Sequence, residues 1–114
     1  MRYPAFYTGD THPGVRFVLR TVDENGKESA LDLTGYTVEA RIIQRGDGAS
    51  DTPKGTTWIT CTVEDAVNGV VSFPISDATL LDTAGVYYVL FRLTTGSYTY
   101  RLRSEDFYVA EAPA

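Results

Sequence analysis

Five short stretches of this chain alternate apolar and polar side chains with a period of two, and no window keeps a helical period for long. In "VRFVLRT" the residues Val15, Phe17 and Leu19 fall on one face and Arg16, Val18 and Arg20 on the other. "YTVEARIIQR" sets Val38, Ala40 and Ile42 against Thr37, Glu39 and Arg41, and "TWITCTV" sets Ile59, Cys61 and Val63 together. "VVSFPI" repeats the pattern with Val71, Phe73 and Ile75, and "VYYVLFRL" with Tyr87, Val89, Phe91 and Leu93. Successive side chains of a strand point to opposite faces, so this period describes strands with one face buried. Turn residues separate them. Asn25-Gly26, Asn68-Gly69 and "TTGS" are hairpin signals, because Gly and Asn tolerate the positive φ that tight turns require. "YTYRLR" and "DFYVAE" supply the last strands.

Between these runs, residues 46–56, "GDGASDTPKGT", contain no large apolar side chain and read as a mobile surface loop. Pro74 has no N–H for a ladder, which predicts an edge or a bulge there. "SDATLLDTAG" has room for one short helical turn capped by Ser76 or Asp77. Seven or eight short strands at this spacing predict an all-β domain, an antiparallel sandwich or barrel. At 114 residues, 43% hydrophobic, the chain fits one domain over residues 1–114, with 111–114 as a frayed tail.

Charge and residue usage narrow the function. A formal charge of -5 argues against a nucleic-acid backbone binder, and the eight arginines are dispersed along the chain. The single cysteine, Cys61, forms no intrachain disulfide and reads as a buried structural thiol. No apolar run approaches the roughly 20 residues of a membrane-spanning helix, and the N-terminus lacks a signal-peptide core, so the expectation is a soluble protein made in a cytoplasm. His12, the only histidine, precedes a proline and reads as a solvated loop residue. Asp47 with Asp51, and Glu64 with Asp65, are acidic pairs that could attract calcium, but neither run has the ligand ladder of an EF-hand. No serine nucleophile motif, phosphate loop or dinucleotide fingerprint is present, so the expectation is a protein that is not an enzyme and holds neither cofactor nor metal.

In "LLDTAGVYYVLF", Asp82, Gly85 and Tyr87 precede a strong strand, as an acid, a small residue and a corner tyrosine do in immunoglobulin-like sandwiches. A plain core tyrosine is the competing reading. The stretch "YTGDTHPGVRFVLRTVDENGKESALDLTGYTVEARI" resembles the opening of a family of phage tail proteins, the N-terminal domain of baseplate upper proteins and its immunoglobulin-like relatives. The shared elements are Gly9-Asp10-Thr11, Asn25-Gly26 and Asp32-Leu33-Thr34-Gly35, with "NGVVSFPIS" and "AGVYYVLFRL" later in the chain. The resemblance implies an immunoglobulin-like antiparallel β-sandwich and a structural component of the virion, made in the host bacterial cytoplasm. Its partners would be copies of itself and other tail or baseplate proteins. A carbohydrate-binding or adhesin module for host attachment is the alternative, with exposed Tyr and Trp rings stacking on sugars.

Asp10 is expected to accept backbone N–H groups two or three residues on, as in an Asx-turn, and Asp32 to do the same at the next strand entry. The candidate partner-binding residues are Val86, Tyr88 and Leu90, which alternate with the inward set, and Trp58, which lies opposite Ile59 and Cys61. Outward apolar residues on one strand predict a contact patch, unless loops or "RYPAFY" cover them within the monomer.

Overall fold

The computed structural model describes residues 4–46 and 50–113. Within them the chain is all-β, with one 3-10 turn, Ala78–Leu81, as its helical element. The largest sheet joins β1 (Phe6–Tyr7), β12 (Phe107–Ala110), β10 (Gly85–Thr95), β5 (Thr37–Gln44) and β6 (Thr52–Pro53) in that order. β11 (Tyr98–Arg103) also pairs with β10, and β7 (Ile59–Thr60) with β5. A second sheet runs β2 (His12–Val18), β9 (Val70–Ile75), β8 (Thr62–Asp65), and a third is the hairpin of β3 (Arg20–Val22) and β4 (Glu28–Ala30).

The period-two pattern decides which faces are buried. Val38, Ala40 and Ile42 on β5 and Tyr87, Val89, Phe91 and Leu93 on β10 are all buried. Val71, Phe73 and Ile75 on β9 join them in one cluster with Leu33, Leu81 and Val109. Aromatic rings tie the two larger sheets together. Phe17 of β2 stacks on Phe73 at 5.6 Å between centroids and meets Phe91 of β10 edge-on at 5.4 Å. Each such side chain contributes about 1.5–3 kcal/mol through removal of its surface from water.

The described residues hold twelve strands rather than seven or eight, because long runs are interrupted. Leu19 marks the passage from β2 to β3: its N–H reaches Gly69 O at 2.8 Å, next in the β2–β9 register, while its carbonyl accepts the Leu31 N–H at 3.0 Å, next in the β3–β4 register. Cys61 separates β7, in the large sheet, from β8, in the second. Nor is the pairing wholly antiparallel, since β1 lies parallel to β12 with Phe6 opposite Val109. Pro74 sits within the middle strand of its sheet, yet opposite an irregularity between His12 and Val15 of β2 that removes the need for its missing N–H.

Local turns follow side-chain chemistry. Asp77 caps the 3-10 turn, accepting the Thr79 N–H at 2.9 Å, and Asp32 accepts the Thr34 N–H at 2.9 Å. Asp10 departs from expectation: it accepts the N–H of Tyr7, three residues before it, at 2.9 Å. In the β3–β4 turn only Gly26 has positive φ, 81°, so Asn25 does not take the left-handed role.

The 46–56 segment is the clearest correction. Asp47 and residues 48–49 lie outside the described residues. From residue 51 to 55 the chain is docked: Pro53 and Thr52 pair with Ile43 and Gln44, and the Lys54 N–H reaches Ile42 O at 2.8 Å. The Lys54 ammonium also pairs with Asp82 at 2.6 Å, and Arg41 donates to Gly55 O at 3.0 Å. Composition hides this because backbone bonds and two long cations hold the segment, not apolar burial.

Candidate functional site: the outer face of the large sheet

Since Val89, Phe91 and Leu93 point inward, Tyr88, Leu90, Arg92 and Thr94 stand on the other face of β10. Register then sets their neighbours. Leu90 lies between Arg41 of β5 and Arg103 of β11, and Arg92 between Glu39 and Arg101. Four arginines from three strands therefore share two adjacent cross-strand rows. Placing Arg92 directly opposite Arg101 opposes pairing, as like charges in that position do.

Part of this charge is balanced within the chain. Arg92 donates to one carboxylate oxygen of Glu39 from Nε and Nη2, at 3.0 and 2.8 Å, and its guanidinium lies 4.3 Å from the Trp58 ring centroid. Arg103 pairs with Asp106 and lies 3.8 Å from the Tyr88 ring centroid. Such stacking stabilises a cation by roughly 0.5–1 kcal/mol at an exposed site. Arg41 and Arg101 have no carboxylate partner among the described residues, and Arg41 Nε is buried without a hydrogen-bond partner there.

The four candidate contact residues are all half-buried on this side of the sheet, but they do not form one apolar patch. Val86 lies at the far end opposite Tyr108. Tyr88 is engaged by its own chain: its hydroxyl donates to Asp51 at 2.7 Å and its ring carries Arg103. That bond holds the Asp51 carboxyl below the usual carboxylate range, while burial, and then the same carboxylate, push the Tyr88 phenol up. Ile43, directly opposite Tyr88, is only 5% exposed although it occupies an outward position. Intramolecular cover therefore accounts for Tyr88, leaving Leu90 and Trp58 among the arginines. The arginines themselves are what reading along the chain misses, because dispersed positions converge only through strand pairing.

Elsewhere, Tyr87 is fully buried and its hydroxyl donates to Thr83 O at 2.6 Å, tying the strand start to the turn before it. Burial pushes the Cys61 thiol up to about 12. Folding thus favours its neutral form, a contribution complete below the ordinary thiol range and lost as pH rises toward 12. Cys61 is accordingly expected to resist iodoacetamide at pH 8 in the folded protein and to react in denaturant, read by intact mass. His12 is exposed on β2, where its Nδ1 accepts the Gly14 N–H at 3.0 Å. Among the described residues no group of three or more His, Cys, Asp or Glu could hold a metal ion. An open groove of about 690 Å³ lies between β2 and the β11–β12 connection, floored by Val15, Phe17, Leu102 and Phe107.

No protein-family model matches this chain, and no curated protein matches it.

Proposed function

We propose that this chain is a non-enzymatic bacteriophage virion protein, a tail or baseplate module whose immunoglobulin-like β-sandwich docks through the outer face of its large sheet. The docking reading is carried by one observation: that face gathers Arg41, Arg92, Arg101 and Arg103 from three strands around Leu90, with Trp58 beside them. Tryptophan and arginine are among the residues that dominate the binding energy of protein interfaces, since each offers a large contact area with a polar or charged handle. The sandwich reading is supported by the Phe17, Phe73 and Phe91 contacts between the two larger sheets and by the Tyr87 corner bond. The assignment to a virion rests on the resemblance of the turn and strand motifs around Asp10, Gly26 and Gly35.

An adhesin reading needs aromatic rings offered flat to a sugar. On this face the Trp58 and Tyr88 rings each carry a guanidinium of the same chain. The test of the virion assignment is mass spectrometry of density-banded phage particles from the host that encodes the chain. Its peptides are expected in the particles at a fixed ratio to known tail proteins. Recovery only in the soluble lysate would overturn the assignment.

A further inference from the structure

The β3–β4 hairpin is a sheet of its own, and all six strand residues are exposed. Isolated two-stranded hairpins are marginal in water, yet this one is braced at both ends. At its root the Leu31 N–H reaches Leu19 O at 3.0 Å, and Leu19 and Leu33 are buried. At its tip the Asp23 carboxylate accepts the N–H groups of Asn25 and Lys27 at 2.9 and 3.0 Å. The result is an ordered arm with both faces open and Val22 59% exposed.

Charge identifies what the arm fits. From Arg20 to Ala30 it carries three carboxylates against Arg20 and Lys27, the carboxylates concentrated toward the tip between Asp23 and Glu28. Glu24 and Glu28 have no ion-pair partner among the described residues. The outer sheet face presents the complement, with Arg41 and Arg101 lacking a carboxylate and apolar Leu90 beside Arg41. Glu28 and Arg103 line the same groove within one chain without forming an ion pair.

We infer that the arm of one copy docks on the arginine face of a second copy, with Glu24 and Glu28 supplying the carboxylates that Arg41 and Arg101 lack and Val22 packing on Leu90. This rests on the reading of that face as the docking surface and names its occupant. A contact between two different surfaces of the same chain propagates from copy to copy until the rotation closes it, the geometry a repeating structural layer requires.

The test is mass by light scattering over a concentration series at low salt. Wild-type protein is expected to exceed the monomer mass and to fall back toward it as salt screens the contact. Glu24→Lys with Glu28→Lys, and separately Arg101→Glu, should each weaken association by about tenfold or more through like-charge contact, while circular dichroism stays unchanged because all three positions are exposed. Mixing the two variants should restore one pairwise contact, since the face variant keeps the acidic arm and the arm variant keeps the unaltered arginine face, so a mixed dimer is expected where each variant alone stays monomeric. A monomer at every concentration overturns the inference, as would closure of the arm onto its own groove. If Arg101→Glu dissociates the protein and the arm variant does not, the face still docks and the arm is not its occupant.

Discussion

Truncating Phe91 to Ala is expected to destabilise the domain by about 3–5 kcal/mol, the range for emptying a buried aromatic site. Phe91 has no exposed surface and its ring meets both Phe17 and Phe73, at 5.4 and 6.3 Å between centroids. Those two partners belong to the second sheet, so the cavity would open where the large sheets contact each other. The neighbouring β10 and β5 backbones are paired from Tyr87 to Thr94, which limits collapse into the space. For a domain of this size the midpoint of thermal unfolding should fall by on the order of 10–20 °C, measured by calorimetry. A loss near 1 kcal/mol would mean that the sheets do not depend on this contact.

Gly69→Ala should be the next largest effect, and it acts through backbone. Gly69 has φ 71°, and an added Cβ would stand 2.5 Å from Leu19 O and 2.8 Å from Leu31 O. The positive φ alone costs an L-residue about 1–3 kcal/mol, and the clash adds to it because carbonyl oxygens cannot move aside as a flexible side chain can. The displaced groups are those that root the β3–β4 arm, so amide exchange of residues 19–31 should accelerate beyond the general loss of stability. An unchanged melt and unchanged exchange would contradict the close packing at this turn.

The inward sets on β5, β9 and β10 are legible in the sequence because strand period and apolar choice agree there. Asp32 and Asp77 are legible for a similar local reason: a short carboxylate reaches an N–H two residues on. The docking of residues 51–55 is not legible, since Gly, Pro and Lys give no apolar signal and the partners, Ile42, Ile43 and Asp82, come from other elements. Tyr88 shows the consequence. Its outward parity is correct, but Asp51 and Arg103 arrive from distant segments and cover it. The arginine face is half legible. Parity alone puts Arg41 opposite in sense to Ala40 and Ile42, and Arg92 opposite to Phe91 and Leu93. That they become neighbours depends on β5 pairing with β10 and β10 with β11, which period cannot supply.

Trp58 is the only tryptophan, and it stands on the proposed docking face beneath Arg92. Its fluorescence therefore reports on that surface without a label. Acrylamide quenching of Trp58, followed by dilution from the assembled to the monomeric protein with mass measured in parallel, addresses the docking surface directly. Quenching should be weak and emission blue-shifted in the assembly, and both should revert as the mass falls to the monomer. A mass that changes while Trp58 quenching stays constant would place the contact on another surface and contradict docking through this face.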